Sequence, residues 1–286
     1  MVWDGIVACD LFCAGLGAWT FIFTVLSAGK DEARRRAKLV GILVAFALVA
    51  LGALILAVDA RGGLLNPLRY FNLLANLGSV MAWGVILISL FLVGAFACAA
   101  LLLAKRSVPR ALEIVTAALA VGVSLYTGVL LSTSPAFPLW NIAVLPAAFV
   151  VSAAYTGYAA CALVARFAAP RGEALPTWLG KAAVALPVLE AVALAALVAV
   201  VSSTQGSGAE AAAASVANLL GGSCALVFWG GTVGVGLVAP FALAAVRGRR
   251  AAAAPAWMGI VEWSCILVGG FAFRYAIVMA AVPIFG

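Results

Sequence analysis

Eight runs of about 20 or more apolar residues, separated by short polar breaks, constrain this 286-residue chain more than any other feature. They fall near residues 3–28, 39–59, 77–104, 111–133, 139–166, 180–202, 212–246 and 256–284. A helix needs roughly 20 residues to cross a hydrocarbon core of about 30 Å, so each run predicts one membrane span. Only 9% of residues are charged and 66% are hydrophobic, so the chain cannot assemble a water-soluble surface. The expected fold is an all-α polytopic membrane protein with eight transmembrane helices, one integral membrane domain over 1–286. The seventh run is overlong, and is expected to tilt or to extend beyond the bilayer.

The basic residues give orientation. Lys30, Arg34, Arg35, Arg36 and Lys38 fall in one connection; Lys105, Arg106 and Arg110 in a second; Arg166, Arg171 and Lys181 in a third; and Arg247, Arg249 and Arg250 in a fourth. These are every second loop and hold 14 of the 17 bases, so they are expected in the cytoplasm, with both termini outside. The net charge of +7 then records topology and not a nucleic-acid partner. The start "MVWDGIVACD" lacks a basic n-region and a small-residue cleavage pattern, so it reads as a retained first span. Three bases depart from the rule, Arg61, Arg69 and Arg274, all expected near the outer face.

Histidine is absent, which excludes the paired helix histidines that usually hold haem b, and any histidine-rich zinc site. The six cysteines all lie in apolar runs without a CxxC pair, so neither a disulfide framework nor a cysteine-held cluster is expected. No GK[ST], HExxH or GxSxG motif occurs, and there is no soluble domain to build such a site in. The chain is therefore expected to be non-catalytic by itself.

Ionisable groups at membrane depth are costly and are functional candidates by default. Asp10 lies in the outer half of the first span, and Asp59 closes the second at the outer face. Arg274 is 18 residues into the last span, about 27 Å from its cytoplasmic start. Tyr126, in "SLYTG", sits in the outer half of the fourth span, where a phenol can donate to a carbonyl ligand or simply join an aromatic belt. Glu190 and Glu262 are expected in the cytoplasmic halves of spans six and eight, as an inner pair, a proton relay, or helix-end carboxylates reaching water. Trp140 and Asn141 mark the outer start of span five.

Several of these stretches, in order, resemble one family. "DLFCAGLGAW" is similar to a first-span pattern ending in AGLGAG; "DARGGLLNPLRYFNLLANLGSVMAWG" resembles a D-L-G-R-P…R-F…N-P-x-S-x-M-S-W-G segment. "LYTG", "PLWNIAVLPAAFVVSAAYTG", "FWGGTVGVGLVAPFAL" and "GGFAFRYAIVMA" resemble the blocks that follow. Together they match the NrfD/polysulfide reductase membrane-subunit family, the quinone-interacting anchor of iron–sulfur and molybdopterin oxidoreductases. The chain departs from the pattern with "GGLLN" between Arg61 and Pro67, and with Ala75 and Gly78 in the N-P-x-S block.

The resemblance implies two packed helical bundles, no cofactor in the membrane subunit, and a quinone pocket near the outer face. It also implies a ferredoxin-like iron–sulfur partner subunit and a further catalytic subunit, molybdopterin-dependent or multihaem, at a bacterial cytoplasmic membrane. Carried over by position, Tyr126 matches a quinone-bonding tyrosine, and Asp59, Arg61 and Arg274 match polar positions of the outer site; Asp10 is added from its depth alone. Menaquinone or a similar quinone is the expected bound substrate. Arg69, Tyr70, Trp140 and Asn141 are expected to form the partner-docking edge, and Glu190 and Glu262 a proton relay. A secondary transporter or ion-conducting protein using the buried carboxylates is the competing expectation; it predicts mid-membrane helix breaks, for which Pro187 and Pro240 are candidates, and inverted repeats.

Overall fold

The structure, a computed structural model, describes residues 5–29, 31–59, 78–168, 176–249 and 255–284. Every regular element among them is helical, and eight are long and apolar enough to cross a membrane. The first group is α1 (Gly5–Leu26), α2 (Glu32–Asp59), α3 (Val80–Leu103) and α4 (Arg110–Ser132). The second is α5 (Leu145–Ala168), α6 (Thr177–Ser202), a short α7 (Ala209–Leu220), a π-helical segment (Leu226–Val238) running directly into α8 (Ala239–Arg249), and α9 (Ala256–Ala280).

Backbone chemistry sets the helix ends. Pro109, Pro176 and Pro255 occupy the N-cap positions of α4, α6 and α9 with ψ between 134° and 142°, so the chain arrives extended and then turns into helix. Helix α3 ends with Lys105 at φ 57°, while Arg106 N–H donates back to Leu101 O, the six-to-one closure of a left-handed C-cap. Arg35 of α2 donates to the carbonyls of Leu102 and Arg106, satisfying acceptors that this helix end leaves over. Lys38 of α2 pairs with Glu113 of α4, and Arg110 pairs with the same carboxylate at 3.1 Å. These bonds gather the base-bearing connections of the first group at one end of the molecule, the basic end.

Helix α1 is the central stave. In its central window 72% of residues are buried, as in α5, against 28% in α2 and in α6. It packs on α2, α4, α5 and α9, and so joins the two groups. Without a hydrophobic gain between lipid-immersed helices, packing depends on close backbone approach. A Cβ on Gly17 would lie 2.8 Å from the Ala45 carbonyl of α2, and a Cβ on Gly236 would lie 2.7 Å from Gly269 Cα of α9.

Two expected spans differ from the observed ones. The run from 212 to 246, expected as one tilted span, is broken after Leu220 by Gly221 and Gly222, and the membrane-length helix starts only at Leu226. Trp229 Nε1 donates to Leu220 O at 2.9 Å and holds the break. The excess length is therefore spent on a bend, followed by the wide i→i+5 winding of a π segment. The fifth helix begins at Leu145 and not near 139, because Pro135 and Pro138 punctuate a series of turns that closes when Leu145 N–H donates to Asn141 O. Glu190 lies 13 residues after Thr177 and 12 before Ser202, which is mid-span and not in one half.

Candidate functional site

The far end of the first group, opposite the basic end, holds a buried phenol beside a buried carboxylate. Asp10 is five residues into α1 and Tyr126 six before the end of α4, so both lie about 7–9 Å inside the helix ends. The two are within electrostatic range of each other. Tyr126 is 5% exposed, and its hydroxyl has no hydrogen-bond partner among the described residues. A buried hydroxyl left without a partner costs about 1–3 kcal/mol, so a ligand acceptor would restore what folding gave up. The ring lies flat against α3 at Gly84, where any side chain would collide with it. Gly52 of α2 gives Asp10 the same clearance, since a Cβ there would lie 3.1 Å from Oδ1. All four helices of the first group thus meet around this pair.

Arg274 belongs to a different cluster. It is fully buried on α9, and Nη1 donates to Ser152 Oγ of α5 at 3.1 Å and to Gly270 O at 3.3 Å. Nη2 donates to Phe149 O at 3.3 Å, and the guanidinium lies over the rings of Phe12 and Phe149 at 5.7 and 5.2 Å. Gly15 of α1 leaves room for it: an added Cβ would be 3.0 Å from Nη2. Glu190, buried on α6, lies near Ser152 and within electrostatic range of Arg274.

At the basic end of the second group, Arg247 Nη2 contacts both oxygens of buried Glu262, at 3.2 and 3.1 Å, and its guanidinium lies 5.6 Å from the Trp263 ring centre. The two relay candidates therefore face different cations: Glu190 lies near Arg274, and Glu262 is paired with Arg247. No three Cys, Asp or Glu residues converge as a metal site among the described residues.

The structure thus brings Asp10 to Tyr126 but directs Arg274 away from them and into the junction of the two groups. Asp59 ends α2, and Arg61, Arg69 and Tyr70 lie outside the described residues. Trp140 is buried and donates from Nε1 to Ile277 O at 3.1 Å, tying the α4–α5 connection to the end of α9, while Asn141 is half-buried and its Oδ1 accepts from Ala143 N–H. Gly84, Ser152 and the pairing role of Arg247 were missed by sequence reasoning. The first two carry no charge signal, and the third was absorbed into the topology pattern.

Comparison with known proteins bears on this geometry. The family model described as "Polysulphide reductase, NrfD" matches residues 1–286. The sequence is also 32% identical over 271 residues to the C subunit of the polysulfide reductase of Wolinella succinogenes, an alignment covering 85% of this protein and 83% of that subunit.

Proposed function

The chain belongs to the NrfD family of polysulphide reductase membrane subunits, and on that premise we propose that it binds a quinone between Tyr126 and Asp10 and anchors an oxidoreductase complex in the membrane. The observation that carries this reading is the buried Tyr126 hydroxyl, without a hydrogen-bond partner among the described residues and within electrostatic range of the Asp10 carboxylate. The phenol donates to one quinone oxygen, and Asp10 exchanges a proton at the reacting head group. Oxidation of a quinol releases two electrons and two protons; the electrons pass to an iron–sulfur partner subunit, and reduction runs the same steps backwards. Asp59, the last residue of α2, and Arg61, two residues later in sequence, are the further proposed contacts, with menaquinone or a similar quinone as substrate.

The partner, a ferredoxin-like subunit linked to a molybdopterin-dependent or multihaem catalytic subunit, docks on the far end. Arg69, Tyr70 and Asn141 are the proposed contacts, and Trp140 braces the connection beneath them. The basic end faces the cytoplasm of a bacterial cell, following the positive-inside rule. Glu190 and Glu262 carry redox-linked protons through the second group.

Binding of a hydroxyquinoline N-oxide, a quinol analogue, to the purified complex tests the site. Tyr126→Phe should weaken it by roughly fivefold, the worth of one hydrogen bond of about 1 kcal/mol, and slow quinol oxidation. Unchanged affinity together with full activity removes Tyr126 from the site.

A further inference from the structure

Helix α5 carries three polar residues at three-residue spacing, Ser152, Tyr155 and Tyr158. Residues so spaced share one helix face, each about 4.5 Å further along the axis. The stripe runs from the Arg274–Glu190 cluster to the Arg247–Glu262 cluster. Ser152 contacts the first; Tyr155 is within electrostatic range of both Glu190 and Glu262; Tyr158 is within range of Glu262 and Arg247. Tyr155 thus lies in the stripe between the two clusters, within electrostatic range of a carboxylate of each.

A cavity of about 150 Å³ opens onto the same tyrosine, lined by Tyr155, Pro187, Pro240, Phe241, Ala244 and Glu262. It exists because α6 does not pack closely on α8 among the described residues. Pro187 and Pro240 stand on its two walls, each removing a backbone donor from its helix, and the alanines leave the space between them unfilled. Roughly 10–15 Å³ suffices for one water, and Tyr155 and Glu262 among the lining residues supply partners, so the volume takes several. Glu262, one of its lining residues, is paired with Arg247, which is one-third exposed at the basic end.

We propose that this cavity is a water-lined proton intake from the basic end, and that Tyr155 joins Glu262 to Glu190 as a proton-conducting hydroxyl. The inference rests on the quinone reading above for the reaction that supplies or consumes the protons. In each transfer the phenol oxygen accepts a proton from the Glu262 side while its own hydrogen passes to the Glu190 side. Tyr155 stays neutral, and one proton moves with no net change in the residue. Ser152 and Arg274 lie near Glu190 at the junction with α1, which carries the buried acid Asp10.

The test uses the whole complex in liposomes, with a pH-sensitive dye on the side of the basic end and turnover run in the quinone-reducing direction, which consumes two protons per quinone. Tyr155→Phe keeps the ring and removes the hydroxyl; Ala244→Phe fills the cavity without touching the stripe. Both should reduce protons taken up from that side per electron by at least roughly tenfold, as expected when a positioned proton carrier is lost. Hydroxyquinoline N-oxide affinity at the Tyr126 site should not change. Uptake per electron that equals wild type in either folded variant, or a wild-type complex that takes up no proton from that side, overturns the route while the quinone site stands. A wild-type complex that does not bind the analogue overturns the quinone site instead.

Discussion

Replacing Gly84 by alanine places a methyl group inside the Tyr126 ring and hydroxyl. Ordinary carbon–carbon contact is about 3.5–4.0 Å, so the ring must retreat by more than about 1 Å. Losing the hydrogen bond to a ligand is worth about 1 kcal/mol, roughly fivefold. A displacement of about 1 Å at an oriented centre reaches on the order of 10²-fold. Quinol oxidation by the reconstituted Gly84→Ala complex should therefore fall between these limits, with analogue affinity falling in parallel. Gly94→Ala is the matched control. It lies ten residues further along α3 on the same α3–α4 interface, where the added Cβ meets Thr116 Oγ1 at 2.5 Å. Both variants overpack one interface and should lose about 1–3 kcal/mol of stability, read as a lower Tm in detergent. Only Gly84→Ala should lose activity. Full turnover in Gly84→Ala, or an equal loss in Gly94→Ala, refutes the argument that the position of the Tyr126 ring is what Gly84 protects.

Two further outcomes are expected. Lys38→Met leaves Glu113 with Arg110 alone, whose side chain is 66% exposed, and should cost about 3–5 kcal/mol, whereas Lys38→Met with Glu113→Leu should recover most of that in thermal unfolding. Arg274→Lys removes the planar fork that serves Ser152, Gly270 and Phe149 together; thermal unfolding should show a loss of about 1–3 kcal/mol although the charge is kept.

The eight spans were legible because membrane crossing demands about 20 apolar residues and hydropathy registers that directly. The break at Gly221–Gly222 was not, since glycine hardly disturbs an average taken over an apolar run, and the π winding after it leaves no periodic trace. Depth was legible from residue counting for Asp10, Tyr126 and Arg274, which lie within about 10 Å of the far end, but not for Glu190, which the start of α6 at Thr177 puts at mid-span. Rotation about each axis was not. Side chains lean toward the N-terminus of their own helix, so Arg274 reaches back along α9 to Gly270 and Ser152 while Asp10 turns to α2 and α4. Glu262 and Arg247 were each visible alone, but their pairing depends on how α8 meets α9, which no local pattern encodes.

The two polar clusters meet across α1. Cys13, one turn beyond Asp10, is within electrostatic range of both Asp10 and Arg274, and Gly15 lets the arginine approach the helix backbone. A proton gained or lost at the proposed quinone site therefore changes the field at Arg274, and through Ser152 at Glu190, in an interior where charges are weakly screened. This matters because the chain has no histidine and so lacks the usual haem ligands that would carry electrons across the bilayer. On the proposed reading, electrons delivered at the far end leave at the far end. Charge that this subunit moves between the two faces is then carried by protons, and the α5 stripe with the cavity beside it is the path we propose for them.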